Sequence, residues 1–215
     1  MKLDRYFDDK RLGVKRFCFV SLITILCFQL AACSDYSLPK LEKSSVILAF
    51  GDSLTLGEGV DRVDSYPAVL ARLTGVKIIN AGVSGETSSE GLQRLPELLE
   101  KHEPDLLILL EGGNDILRKV PESAIQQNLA TMIELAQLKG IAVLLVGVPE
   151  KKLFGDSLDL YSELAEAYQI PVEDDIVASL IKRPSMKSDY VHFTRQGYQA
   201  LAEAIYKKLQ ETGAI

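Results

Sequence analysis

The first candidate for chemistry in this 215-residue chain is a serine that follows a short apolar run. Residues 46–50, VILAF, lead into Gly-Asp-Ser, with the serine at position 53. A serine hydroxyl becomes a strong nucleophile when a histidine removes its proton and a carboxylate orients that histidine. The candidate bases are therefore histidines that have a carboxylate nearby.

The two histidines of the chain have different surroundings. His192 lies in SDYVHFT, and Asp189 precedes it by three residues, a spacing that lets a carboxylate reach the imidazole Nδ1 within a turn. His102 lies in LEKHEPD and is interpreted as a solvated residue near a helix end. The alternatives are an ordinary surface Asp189 and His192, and an Asp52 or Ser53 that only caps the segment after it.

Acyl transfer also requires hydrogen-bond donors aimed at the oxyanion that develops on the substrate. Two later loops contain suitable groups: the backbone N–H of Gly85 in NAGVSGET, and the carboxamide of Asn114 in EGGND. Each loop follows a predicted strand. Glycine at 85 leaves room for a substrate because it has no side chain. This co-occurrence at successive strand ends favours a catalytic site over independent turns.

Alternating apolar and amphipathic runs predict the elements that position these loops. Continuous apolarity indicates strands buried on both faces of a parallel sheet, with helices on each side. In such sheets ligands bind beyond the carboxyl ends of the strands, where all three loops would meet. The predicted strands are 46–50, 76–80, 105–112, 141–148 and 170–174, and the predicted helices are 65–74, 88–102, 121–139, 157–169 and 194–211.

Several other functions are not supported by the sequence. There is no GxxxxGK[ST] motif and no GxGxxG after a strand, so we expect no nucleotide cofactor. With two histidines and no HExxH motif, we expect no metal site. Beyond residue 32 the chain keeps 18 basic and 27 acidic side chains without a basic stripe, so we expect no nucleic-acid partner.

The N-terminal region has the features of an export signal. Lys and Arg residues precede the apolar run 17–30, which is short for a membrane span and typical of a signal-peptide core. LAAC at 30–33 follows and resembles a bacterial lipobox, which predicts lipid on the thiol of Cys33. The alternatives are a cleaved signal peptide without lipid and an uncleaved anchor helix. Cys18 and Cys27 would leave with the signal, so the folded domain would contain no disulfide.

The domain organisation follows from these features. We predict a lipoprotein signal peptide at 1–32, a lipid-anchored tether at 33–45 and a catalytic domain at 46–215. The protein would be exported and held on the periplasmic side of a bacterial membrane. Ser34 after the cysteine resembles the pattern of outer-membrane lipoproteins.

Together, the blocks around Ser53, Gly85, Asn114 and Asp189-x-x-His192 match in order those of the SGNH, or GDSL, hydrolase family. The chain most resembles its bacterial arylesterases, thioesterases and lysophospholipases. The resemblance implies a flavodoxin-like three-layer α/β/α sandwich with a doubly wound, five-stranded parallel sheet. It also implies Ser53 as nucleophile, His192 as base, Asp189 as its orienting partner, and an oxyanion hole formed by Ser53, Gly85 and Asn114.

The predicted function is hydrolysis of small acyl or aryl esters, thioesters or lysophospholipids, without a cofactor. The alternatives are an O-acetyl esterase that acts on carbohydrate with the same residues, and a noncatalytic surface lipoprotein. A second Gly-Asp-Ser, at 155–157, follows no predicted strand and is interpreted as the cap of the fourth helix. Phe193 stands where proline is frequent in this branch of the family, and this difference bears on the substrate preference and not on the reaction.

Overall fold

In the computed structural model, which describes residues 36–149 and 157–215, the chain folds around a five-stranded parallel sheet. The strand order is β2-β1-β3-β4-β5, the doubly wound order of flavodoxin-like folds, which confirms the predicted fold class. The strands are β1 (Val46–Gly51), β2 (Lys77–Gly82), β3 (Leu106–Leu110), β4 (Ala142–Val146) and β5 (Val172–Glu173).

The burial of the strands follows their position in the sheet. β1, β3 and β4 are central, and their apolar side chains are buried on both faces. β2 and β5 form the edges and are partly exposed. The predicted third strand was too long at its end because Gly112 adopts a left-handed conformation, with φ +107°, that a strand does not accommodate.

The five predicted helices are confirmed to within two residues at each end. They are α2 (Tyr66–Thr74), α3 (Ser88–His102), α5 (Glu122–Leu138), α6 (Asp159–Tyr168) and α8 (Arg195–Glu211). Three short helices were not predicted, because four to six residues are too few to show a helical period: α1 (Ser53–Leu56), α4 (Gly113–Leu117) and α7 (Ile176–Ile181).

The helices lie in two layers because the chain reverses its direction across the sheet. From β1 it moves outward to β2, and then crosses back past β1 to β3. Right-handed crossovers place the helices of these two steps on opposite faces. Accordingly, α2 packs with α8, whereas α3 packs with α5, which also contacts α6. The reversal opens a crevice at the carboxyl ends of β1 and β3.

The packed part of the domain begins before β1. Leu38 and Leu41, which belong to the predicted tether at 33–45, are buried. The Leu38 N–H donates to the carbonyl of Thr212 at 3.0 Å, and the Leu41 N–H donates to that of Ala214 at 2.8 Å. The domain boundary therefore lies at or before Leu38 and not at residue 46.

The predicted signal peptide, 1–32, and Cys33 lie outside the described residues. Among the residues that are described, no helix has the length and apolarity required to cross a bilayer.

The predicted cap of the fourth helix is wrong. The residue that precedes α6 is Leu158, and no side chain caps the helix there. The Ser157 hydroxyl instead donates to the carbonyl of Val148 at 3.4 Å. Gly155 and Asp156 of this second Gly-Asp-Ser lie outside the described residues.

The burial of Leu41 predicts a measurable contribution to stability. We expect Leu41→Ala to lower the free energy of unfolding by about 2 kcal/mol, because it removes buried apolar atoms and leaves a cavity. Urea denaturation measures this change. The matched control is Leu138→Ala, whose leucine is 84% exposed and which should change stability by less than about 0.5 kcal/mol. Equal stabilities of the two variants would show that residues 36–45 form a free tether.

Candidate active site

Ser53 lies at the carboxyl edge of the sheet, where β1 passes directly into α1. Asp52 connects the two elements and caps the helix, since its Oδ1 accepts a hydrogen bond from the Leu54 N–H at 2.9 Å. The Asp52 carbonyl accepts a second bond, from the Leu56 N–H at 3.0 Å. A buried strand and a capped helical turn therefore hold Ser53 from both sides. The capping that the sequence offered as an alternative is therefore done by Asp52, and Ser53 is the first residue of α1.

His192 reaches Ser53 from the loop that precedes α8. Its Nε2 lies 2.9 Å from the Ser53 Oγ, and its Nδ1 lies 2.7 Å from Oδ2 of Asp189. A carboxylate only accepts hydrogen bonds, so we assign the ring proton to Nδ1, which leaves Nε2 free to accept the serine proton. The structure thus brings together the three side chains that the sequence singled out.

Asp189 is held by its own loop. Its Oδ1 accepts hydrogen bonds from the N–H groups of Val191 and His192, each at 2.8 Å. Burial raises the pKa of Asp189, but these bonds and the contact with the imidazole outweigh that effect and lower the pKa to about 2. Asp189 is therefore ionised at neutral pH and can orient the imidazole and stabilise its protonated form.

Phe193 anchors this loop in the core. Its side chain is fully buried, and its ring meets that of Tyr198 edge to face, with centroids 5.6 Å apart. Thr194 caps α8 by accepting the Gly197 N–H at 3.3 Å. An aromatic side chain at 193 therefore fixes the position of His192 by packing.

Asn114 contacts Asp52, which precedes Ser53, and also Glu86, which follows Gly85. The N–H groups of Ser53 and Gly85 donate to no acceptor among the residues that the structure describes. The Asn114 Nδ2 donates to the Glu86 carbonyl at 2.8 Å and makes a longer contact, 3.3 Å, with Oδ2 of Asp52. The longer contact is the weaker of the two, and it is the one that a substrate oxygen can replace.

Glycine is required at two positions around these donors. Gly85 has φ +76°, a left-handed conformation that turns the loop after β2. Gly113 passes so close to Asp52 that a Cβ atom there would lie 2.9 Å from Oδ2. This close approach brings Asn114 within reach of the Ser53 loop.

Ionisable side chains are buried around the site, and the sequence patterns did not identify them. Asp52, Glu86, Glu111 and Asp115 are all buried, and Arg94 of α3 pairs with Glu86. The signal for Arg94 in the sequence was weak. This residue stands immediately before Leu95, which faces the core, but the partners of Arg94 come from distant segments. Asp115 accepts two hydrogen bonds from Ser88, at its N–H and its hydroxyl, each 2.7 Å long.

These features can be compared with those of known proteins. Residues 49–200 match the model of the GDSL-like Lipase/Acylhydrolase family. The chain belongs to this family. The predicted resemblance to SGNH, or GDSL, hydrolases is therefore confirmed, and the chain is an enzyme that hydrolyses carboxylic esters.

Relatives of this GDSL-family chain cover most of its length. It is 33% identical to an arylesterase of Vibrio mimicus, over 88% of this chain and 96% of that protein. It is 28% identical to the thioesterase 1/protease 1/lysophospholipase L1 of Escherichia coli K12, over 78% of this chain and 84% of that protein. The crystal structure of AlinE4, an SGNH-hydrolase family esterase, is 36% identical, with a TM-score of 0.63 and coverage of 80% and 98%.

The buried Asp52 predicts a pH-dependent contribution to the stability of this esterase. Burial raises the pKa of Asp52 from 3.8 to about 6, although the Leu54 hydrogen bond and His192 oppose the rise. The folded state therefore binds this proton more tightly than the unfolded chain. The protonated Asp52 carboxyl makes its full contribution to stability below about pH 4. This contribution is lost as the pH rises through about 6, which lowers the free energy of unfolding by up to about 3 kcal/mol.

The test compares the wild type with Asp52→Asn, which cannot ionise and still caps α1. Urea denaturation between pH 4 and pH 7 gives both free energies of unfolding. We expect the wild type to lose stability relative to the variant across this range. A constant difference between the two proteins would mean that Asp52 titrates near its ordinary pKa.

Proposed function

We propose that Ser53, His192 and Asp189 act as a catalytic triad that transfers the acyl group of an ester to water. The observation that carries this proposal is the distance of 2.9 Å between the Ser53 Oγ and the His192 Nε2, with Asp189 2.7 Å from the other ring nitrogen. This arrangement provides a nucleophile, a base and a group that orients the base. Membership in the GDSL-like family supports the same reaction class.

The reaction proceeds in two halves. In the first, the Ser53 oxygen attacks the ester carbonyl while His192 takes its proton, and the imidazolium then protonates the departing alcohol. In the second, His192 removes a proton from water, the hydroxide attacks the acyl-serine, and the proton returns to Ser53 as the acid leaves. Asp189 stays ionised throughout, which agrees with its lowered pKa.

An oxyanion hole is formed in this proposal by the N–H groups of Ser53 and Gly85 and by Asn114. The oxyanion replaces Asp52 as the second acceptor of the Asn114 amide, while the bond to the Glu86 carbonyl is kept. Donors that are already oriented stabilise the developing charge without reorganisation.

Three exposed apolar side chains favour substrates with an acyl or aryl group larger than acetate. Val83 precedes Gly85 by two residues, Leu117 ends α4 after Asn114, and Tyr190 stands between Asp189 and His192. All three side chains are exposed, Val83 by 43%, Leu117 by 41% and Tyr190 by 93%. Apolar groups around a catalytic site bind acyl chains by excluding water. The names of the relatives, arylesterase and thioesterase/lysophospholipase, are consistent with this substrate class.

The test of the function is hydrolysis of p-nitrophenyl esters from acetyl to dodecanoyl. We expect turnover of several chain lengths by the wild type and loss of almost all turnover in Ser53→Ala, since removal of a nucleophile of this kind costs about 10⁶-fold in kcat. The matched control is Ser157→Ala, in the second Gly-Asp-Ser, which should retain wild-type activity.

The other outcomes decide between the alternatives. Turnover of acetate alone would favour an O-acetyl esterase that acts on carbohydrate. If the wild type hydrolyses no ester and a fluorophosphonate does not label Ser53, the catalytic proposal is wrong and the noncatalytic alternative is favoured.

We also propose that the protein is exported and anchored by lipid on Cys33, at the end of the apolar run 17–30. In bacteria fed a radiolabelled fatty acid, the wild type should carry the label and Cys33→Ser should not. Absence of label from the wild type would favour the alternatives. Release of the protein from membranes would then indicate a cleaved signal peptide, and retention would indicate an uncleaved anchor helix.

A further inference from the structure

One guanidinium group connects two of the loops that bear the proposed oxyanion donors. Arg94, on α3, directs its Nη2 to the carbonyl of Ala81 at 2.8 Å and to that of Gly51 at 3.3 Å, near the ends of β2 and β1. The same side chain binds both carboxylate oxygens of Glu86 through Nε and Nη2. Its Cζ lies 3.9 Å from the centroid of the Phe50 ring.

Glu86 extends this connection to the third loop. Its carboxylate is held by Arg94, whereas its main-chain carbonyl accepts the 2.8 Å hydrogen bond from the Asn114 amide. Glu86 also follows Gly85 directly, and its own N–H donates to the Val83 carbonyl at 3.3 Å in a tight turn. A displacement of Glu86 would therefore move the Gly85 N–H and the Asn114 amide together.

Burial makes the Arg94–Glu86 ion pair rigid, and its geometry requires arginine and not lysine. The side chain of Glu86 is 5% exposed and that of Arg94 is 24% exposed, so water competes little for their hydrogen bonds. The planar guanidinium fork binds a carboxylate with two nitrogens and keeps a further donor for carbonyl groups. Lysine has the charge but not this fixed fork, and it cannot reproduce the geometry.

We propose that Arg94 is a positioning residue for catalysis: by holding Glu86 against the ends of β1 and β2, it sets the Gly85 N–H and the Asn114 amide toward the oxyanion. This inference rests on the proposed function. Arg94 itself touches no reacting atom in this scheme. The loops have a second, independent connection, because Asp115 accepts two hydrogen bonds from Ser88. Loss of the Arg94 fork should therefore misplace the donors without unfolding their loops.

A double-mutant cycle between Arg94→Lys and Asn114→Ala tests the proposal in the full-length protein. We expect Asn114→Ala to lower kcat by about 10²- to 10³-fold, the effect of losing one oxyanion donor. Arg94→Lys should lower kcat by roughly 10- to 100-fold with KM nearly unchanged, because small displacements of positioned groups slow the chemical step. In the Asn114→Ala background, Arg94→Lys should lower kcat by only about three-fold, since most of its effect passes through Asn114.

The matched control is Arg72→Lys. The Arg72 guanidinium donates to the Val63 carbonyl at 2.7 Å, on a helix without a part in the proposed site, and its replacement should leave kcat and KM as in the wild type. Thermal denaturation of each variant verifies that it is folded. If Arg94→Lys does not fold, Glu86→Gln replaces it in the cycle, because the amide weakens the ion pair and keeps the main-chain carbonyl that binds Asn114.

The outcomes separate this inference from the proposed function. Three results would overturn the role of Arg94 alone. The first is a loss of kcat in the double variant equal to the product of the two single losses. The others are a rise in KM with unchanged kcat in Arg94→Lys, and wild-type activity of Arg94→Lys beside an impaired Asn114→Ala. An Asn114→Ala variant with wild-type kcat would refute the oxyanion hole. An active Ser53→Ala would refute the catalytic proposal as a whole.

Discussion

The parallel pairing of β1 with both β2 and β3 is the constraint on which the rest of the structure depends. Gly51 pairs with Gly82 on one side and with Leu110 on the other, so three strands end at the same level. Each strand then passes into a loop that carries one of the candidate groups. The central strands β1 and β3 are apolar and buried, so this edge is a rigid frame for the loops of Ser53, Gly85 and Asn114.

Such a frame places polar groups where water is scarce, and the structure compensates for this with charge and hydrogen bonds. Arg94 is paired with Glu86, and Asp115 is satisfied by Ser88. Burial and the neighbouring Asp52 raise the pKa of Glu111 well above its usual range, although the Gly112 N–H, which donates to Oε2 at 3.1 Å, opposes the rise. A raised pKa favours the neutral form of Glu111, which lowers the cost of burying this carboxyl group.

The loop that carries His192 comes from the far end of the chain and must be brought to Ser53 by the packing of the helices. Ser53 and His192 are 139 residues apart, and the two groups meet because α8 returns to the face of the sheet where α2 lies. Phe193 and Thr194 fix the start of α8 by packing and by capping, while Asp189 binds the loop's own N–H groups. The same carboxylate therefore stabilises the loop and orients the imidazole.

Local patterns in the sequence determined the elements and the reaction class. Apolar runs and helical periods predicted the five strands and the five longer helices, because these signals arise from burial within about 20 neighbouring residues. The motifs around Ser53, Gly85, Asn114 and His192 indicated the family, since each requires particular residue types at a fixed spacing. The short helices and the end of β3 were missed, because they depend on turns and backbone angles and not on a period.

The tertiary structure alone decided which distant groups meet. It packed Leu38 and Leu41 against the end of α8, although their segment reads as a tether. It also placed Arg94 between Gly51, Ala81 and Glu86, three positions with no common local pattern. A side chain that closes contacts between separate strands has no period or motif of its own, because its partners are set by the order of the strands and by the loss of water on burial.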